Sequence, residues 1–223
     1  MTTLLLLPGL HGTAELFNPL LAALSNDVIV SVAEFPFEAT DYPRVESAVR
    51  VPAGRIALLA ESFSGPLAIR LAVRLKAEGR LSALILVATF ARSPMRWFPW
   101  WLIPSWAPVP PITIVARLLL GPDANPDRVR ELAIVLKRIP PKTALARLRA
   151  VARCDERANL STLIGIPTLY IQALDDQVVS SHALADFAPL RPQVRVLHAP
   201  HLVLQTRPIE CAQAIVAFLV AHR

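Results

Sequence analysis

Residues 56–75 constrain the fold more than any other stretch of the chain. Ile56 to Leu59 form a short apolar run with the length and composition of a buried strand. The run breaks at once into Ala60-Glu61-Ser62-Phe63-Ser64-Gly65, and Leu67, Leu71 and Leu75 then recur at helical spacing. So abrupt a strand-to-helix turn admits only small side chains around it. Ala60 and Ser64 supply them, two positions to either side of Ser62. The turn lifts the Ser62 hydroxyl clear of the backbone. It also sets the Phe63 N–H at the start of the helix, where negative charge is favoured.

Three other segments supply groups that an exposed serine would need. Leu4 to Leu7 are four leucines in a row, a strand that stops at Pro8-Gly9-Leu10-His11-Gly12-Thr13 and leads into a helix over Glu15 to Ser25. A Gly-rich loop after an early strand suits a second backbone donor toward a developing oxyanion, and Leu10 is the residue chosen for it. His11 stands too close to the strand end to be preferred as a base. Pro167 opens a strand over Thr168 to Gln172, with Asp175 and Asp176 in the loop beyond its end. A carboxylate at a strand's C-terminal edge can orient an imidazole. Asp176 is the choice and Asp175 the fallback, while a plain turn and helix cap before Ser180 to Phe187 is the simpler alternative. Val194 to Leu197 read as a last strand, followed by His198 and His201. His201 falls in the loop proper and is the better base. His198 reads as structural, and His182 and His222 as surface residues of helices.

The chain order Ser62, Asp176, His201 on strand–loop–helix units resembles the α/β-hydrolase family over nearly the whole sequence. The resemblance implies Ser62 as nucleophile, His201 as general acid and base, Asp176 as its orienting acid, and the Leu10 and Phe63 amides as the oxyanion hole. It implies a Ser-dependent carboxylic ester hydrolase without a cofactor. The alternatives are a thioesterase or acyltransferase on the same machinery, or a non-catalytic binder of an apolar ligand. The sequence departs from the family pattern at Ala60 and Ser64, where glycines are usual, and at Pro200, where a glycine commonly precedes the histidine.

The rest of the chain fits that reading. Strand-like runs near 4–7, 28–32, 55–60, 83–88, 167–172 and 194–197 alternate with helical patterns, which predicts an α/β fold. The expected form is a single domain over 1–223 with a mostly parallel sheet of about six strands flanked by helices. Family members usually have two further strands before the Leu4–Leu7 strand, so the sheet reads as trimmed. Cys154 and Cys211 are too few for a disulfide framework and lack metal-ligand spacing. With no basic n-region ahead of an apolar stretch, a cytoplasmic location is expected.

Residues 92–160 read as a helical cap inserted within the domain. All four tryptophans, Trp97, Trp100, Trp101 and Trp106, fall inside it and suit contacts to an apolar acyl group. Residues 97–116 carry no charge, but five prolines among them oppose a spanning helix. The aromatics would also suit a membrane surface, a reading ranked below the cap. Two amphipathic helices are expected next, one starting at Asn125-Pro126-Asp127 and ending before Pro140-Pro141, and one from about Thr143 to Arg153. Residues 128–153 hold eight Lys or Arg against Glu131 alone, a balance of +7 where the whole chain carries +6. Solvated helix faces are the default reading of such a stretch. A docking surface for an acidic acyl carrier protein is the sharper one, by likeness of layout to pimeloyl-carrier-protein methyl ester esterases. Nucleic acid is not expected, because the aromatics and the charges lie apart.

Overall fold

The computed structural model describes residues 2–94, 111–122 and 124–222. The four tryptophans expected to contact substrate therefore lie outside the described residues. Six strands form one sheet: β1 (Thr2–Leu7), β2 (Ile29–Val32), β3 (Arg55–Glu61), β4 (Leu81–Val87), β5 (Thr168–Ala173) and β6 (Gln193–Leu197). Their order is β2-β1-β3-β4-β5-β6, and every neighbouring pair is parallel. The chain leaves β1 to one side for β2 and to the other for β3. The order thus reverses beside β1, and open α/β sheets place their sites outside the strand ends at such a point.

Both faces of the sheet are covered, which is why the central strands are continuous apolar runs. Leu5, Leu7, Leu58, Ala60, Leu84 and Leu86 pack on one face against the helices α2 (Tyr42–Ala48) and α3 (Ser64–Ala77). Leu4, Leu6, Leu59, Ile85 and Ile171 face the other way, toward α1 (Asn18–Ala23) and α9 (Pro208–Ala221). Each such leucine removed from water contributes about 1.5–3 kcal/mol. Helix α3 ends where Gly79 takes φ +68°; Arg80 N–H then reaches back to the Leu75 carbonyl and Gly79 N–H to that of Lys76. That pair of hydrogen bonds is the Schellman stop, and it returns the chain to β4.

Between β4 and β5 come α4 (Ile112–Leu120), α5 (Pro126–Arg138), α6 (Pro141–Arg153) and α7 (Arg157–Leu160). Asn125 caps α5 by accepting from Asp127 N–H, and Pro126 and Pro141 start α5 and α6. Leu132 and Val135 of α5 pack on Ala116 and Leu120 of α4, and with Leu16 and Leu202 they make a third, smaller core. The two ends of the segment are stitched together. Ser93 N–H donates to Cys154 O at 3.0 Å, and Glu156 N–H to Ala91 O at 2.9 Å.

Three local expectations change. The helix expected over Glu15 to Ser25 is a 3-10 turn, Glu15–Phe17, followed by the short α1. The helix expected at Ser180 to Phe187 is a 3-10 helix, Ser181–Leu190. Helix α4 was not anticipated within the proline-rich stretch. Among the described residues, no helix is long and apolar enough to cross a membrane.

Candidate active site

Ser62 follows β3 directly and holds φ +52°, in the left-handed region that non-glycine residues rarely occupy. Such a conformation costs of order 1–3 kcal/mol and persists only where neighbours enforce it. Here Ser62 N–H donates to Val87 O at 3.0 Å, while its carbonyl accepts from Thr89 Oγ1 and from Gly65 N–H. A Cβ on Gly65 would stand 2.2 Å from Thr89 Oγ1 and 2.5 Å from Phe90 O, so only glycine lets α3 come this close to the loop after β4. Ser64, which replaces the second usual glycine, donates its hydroxyl to Pro8 O and ties the turn to the loop after β1.

The serine lies 139 residues from His201 in sequence, yet Ser62 Oγ and His201 Nε2 are 2.7 Å apart. His201 follows β6 and is 2% exposed. Its Nδ1 lies 2.8 Å from Asp176 Oδ2. The other carboxylate oxygen accepts from Val178 N–H at 2.7 Å and Val179 N–H at 2.9 Å. The carboxylate thus fixes the proton on Nδ1 and leaves Nε2 free to accept from the Ser62 hydroxyl. Asp175, the fallback, is exposed; its backbone N–H bonds Ala199 O and joins the two loops. Pro200 does not keep His201 from Ser62. Leu202 N–H donates to Leu119 O, so the His201 loop is also tied to α4.

A cavity of about 230 Å³ opens on Ser62 and His201, walled almost entirely by carbon. Leu10 and Phe63 line it. Among the described residues no protein acceptor takes the N–H of either. Its roof comes from Val115 and Leu119 of α4, Leu132 and Leu136 of α5, and Leu148 and Val151 of α6. A wider hollow of about 700 Å³ beside Pro200, with Arg117, Arg128 and Arg207 on its walls, contains neither Ser62 nor His201 and is not the chemical site.

Three other histidines are placed apart from this chain of bonds. His11 is buried in the cavity wall; its Nδ1 accepts from Thr13 N–H, and burial lowers its pKa to about 4. Its Nε2 has no hydrogen-bond partner among the described residues. His198 is exposed, with its carbonyl accepting from Arg207. His182 is exposed on the 3-10 helix.

Two buried polar residues escaped the sequence reading. Arg147, counted above among solvated cations, is completely buried. Its signal was its place on the stripe Thr143, Arg147, Val151, the inward face of α6. Glu61 is also completely buried; its Oε1 accepts from Gln205 Nε2 at 3.0 Å. Among the described residues no three His, Cys, Asp or Glu side chains gather as metal ligands would.

No protein-family model and no curated protein sequence matches the chain. Solved structures do. A hydrolase of Oleispira antarctica superposes with a TM-score of 0.79 at 15% identity, covering 98% of this chain and 90% of its own. The enol-lactonase of Burkholderia xenovorans LB400 gives 0.78 at 17% identity, with 98% and 91% covered. A hydrolase of Pseudomonas aeruginosa PA01 gives 0.77 at 23% identity, with 98% and 90% covered. The all-parallel six-stranded sheet, its flanking helices and these neighbours agree: the chain has the α/β-hydrolase fold.

Proposed function

We propose that this protein is a serine hydrolase that cleaves carboxylic esters bearing a small apolar acyl group. One observation carries the proposal. The bonded series Ser62–His201–Asp176 stands at an apolar cavity next to two N–H groups that no protein acceptor among the described residues takes.

The ester carbonyl enters beside Ser62 with its oxygen toward Leu10 and Phe63. Ser62 Oγ attacks the carbonyl carbon as its proton passes to His201 Nε2. Asp176 holds the imidazole in the accepting tautomer and stabilises the imidazolium that forms. The tetrahedral oxyanion rests on the two backbone N–H groups, one of them at the N-terminus of α3. His201 returns its proton to the departing alkoxide oxygen, so the alcohol leaves and an acyl-serine remains. Water, deprotonated by His201, then attacks the acyl carbon and releases the acid, and Ser62 regains its proton.

The cavity argues for acyl size and polarity. Drug-sized ligands fill pockets of about 300–1,000 Å³. A cavity of about 230 Å³ with so little polar wall suits a short hydrocarbon acyl group better than a charged or sugar-like one. The helices α4 to α6 serve in this reading as a cap over that group.

A p-nitrophenyl ester series of rising acyl length tests the proposal. Turnover is expected to peak at a short or middle length. Ser62→Ala is expected to lower kcat by on the order of 10⁴-fold or more with its melting temperature kept. A tenth of the wild-type rate in folded Ser62→Ala would remove Ser62 as the nucleophile. No turnover of any ester or thioester by the wild type would favour a ligand-binding protein on a hydrolase fold. Transfer of the acyl group to an added alcohol, faster than hydrolysis, would make the protein an acyltransferase. Delivery of the acyl group by an acidic carrier protein is a second reading. Its support is the set of exposed cations Lys137, Lys142 and Arg153, which have no acid partner among the described residues.

A further inference from the structure

Arg147 is the largest fully buried side chain among the described residues, and no carboxylate among them pairs with it. A guanidinium carries five N–H donors in a fixed plane. Five backbone carbonyls take them. Nε donates to Ala39 O at 3.1 Å. Nη1 donates to Leu10 O at 2.8 Å and to His11 O at 3.4 Å. Nη2 donates to Pro36 O at 2.9 Å and to Phe35 O at 3.4 Å. The Phe35 ring lies 5.8 Å from the guanidinium carbon. No donor remains for a substrate, so the side chain acts on its own backbone neighbours.

Two of those carbonyls belong to the loop that presents the Leu10 N–H. The Gly9–Leu10 peptide unit is gripped at one end, where Gly9 O accepts from Gly12 N–H at 3.0 Å. In a trans peptide the N–H points opposite to the C=O. The Leu10 N–H therefore points away from the Gly12 turn, and Leu10 lines the Ser62 cavity. Arg147 grips the next two carbonyls. Gly12 is shaped to let it in: it holds φ +75°, and a Cβ there would stand 2.6 Å from Nη1 and 3.0 Å from Phe35 Cβ.

We propose that Arg147 is the positioning residue of the oxyanion hole, with α6 reaching across the molecule to fix the direction of the Leu10 N–H. The proposal rests on the serine-hydrolase reading above. It makes the cap and the catalytic loop one mechanical unit, because displacing α6 withdraws the group that holds the loop. It also sets a positive charge, paired with no carboxylate among the described residues, behind the loop where the oxyanion develops. Burial alone lowers the pKa of Arg147, and the guanidinium remains charged.

The test compares Arg147→Lys and Arg147→Met with Thr143→Val, using a short p-nitrophenyl ester and thermal melting. Thr143 is the control because it stands one turn earlier on α6 and donates to Phe37 O at 3.0 Å, not to Leu10 or His11. A lysine keeps the charge but brings three donors from one point, too few for five carbonyls. Both Arg147 variants are expected to lose about 10²-fold in kcat, with KM within about twofold, since a displacement near 1 Å at a reacting group costs that much. Thr143→Val is expected to melt earlier and keep its kcat. Wild-type kcat in folded Arg147→Lys and Arg147→Met would overturn the proposal, as would an equal kcat loss in Thr143→Val. If neither Arg147 variant folds, Gly12→Ala carries the test, because its Cβ displaces the guanidinium. It should then show the same kcat loss at unchanged KM, and full kcat would overturn the proposal. Loss of soluble protein in all three variants would make Arg147 a folding determinant and would overturn it too. Fluorophosphonate labelling of wild-type Ser62 is measured alongside. No labelling and no turnover in the wild type would sink the hydrolase reading and this proposal with it. An active wild type with active Arg147 variants would sink this proposal alone.

Discussion

Glu61 stands one residue before Ser62 with its side chain wholly out of water, and that placement gives it a titration of its own. Burial raises its pKa from 4.5 to about 7, against the smaller lowering effects of the Gln205 amide and of His201. Among the described residues its Oε2 has no partner, and neither does Gln205 Oε1. Two acceptors face a shortage of one proton. Between pH 4.5 and 7 the folded protein holds a proton on Glu61 that the unfolded chain releases, so stability falls as pH rises through this window. His11 works in the opposite sense. Its folded pKa of about 4 lies below the unfolded 6.5, so stability rises with pH between those values. Comparison of Glu61→Gln with the wild type isolates the first effect. The amide is expected to leave stability nearly unchanged at pH 4 and to raise it at pH 8 by on the order of 3 kcal/mol. Urea unfolding at the two pH values checks this, and an equal shift at both would show that Glu61 does not titrate in this range. At the same scale, Asp176→Asn is expected to lower kcat by on the order of 10⁴-fold. Asp175→Asn, on an exposed side chain, should lower it little. Ester turnover by the two variants decides which carboxylate orients His201.

At the scale of elements, the sheet was legible and the roof of the site only in part, since α5 and α6 were expected and α4 was not. Strands buried on both faces must be apolar at every position, so runs such as Leu4–Leu7 and Ile56–Ala60 announce themselves without any partner in view. The three loops bearing Ser62, Asp176 and His201 follow from the strand ends, because a parallel sheet brings its C-terminal edges together. Helix α4 was hidden because Ile112–Leu120 is apolar on several sides and follows prolines; its packing face is defined by distant residues, Leu132 and Val135 of α5 with Leu16 and Leu202. Arg147 was hidden for another reason. A charged residue on a basic helix reads as solvated, and its five acceptors come from Leu10, His11, Phe35, Pro36 and Ala39, more than a hundred residues away. The Glu61–Gln205 pair spans 144 residues and leaves no local trace either. The roof should set acyl length. Leu148→Trp adds bulk where α6 faces the cavity. It is expected to move the preferred acyl chain to a shorter length, lowering kcat/KM for the longest esters while sparing the acetate. An unchanged length profile would mean that the acyl group lies elsewhere.

Over the whole molecule, the excess of positive charge is concentrated in α5 and α6, but little of it is free. Arg128 pairs with Glu131 at 3.1 Å, Arg130 with Asp127 at 2.8 Å and Arg138 with Glu15 at 2.5 Å. Arg147 is buried among carbonyls. Exposed pairs of this kind contribute about 0–1 kcal/mol each to stability, yet each one cancels part of the outward field. Lys137, Lys142 and Arg153 are left as the exposed cations of these two helices without an acid partner among the described residues. Reversing these three to Glu separates a general esterase from one that takes its acyl group from an acidic carrier. A neutral p-nitrophenyl ester does not need those side chains, and its kcat/KM should stay within about twofold of wild type. A carrier-linked ester should lose kcat/KM through slower association. The loss should shrink as salt rises, because screening at 0.1 M acts over about 10 Å. If wild-type protein hydrolyses the carrier-linked ester no faster than the free one at low salt, the carrier reading fails. The free-ester result should hold in either case, because Ser62, His201 and Asp176 lie at the strand ends and none of the three reversed residues lines their cavity.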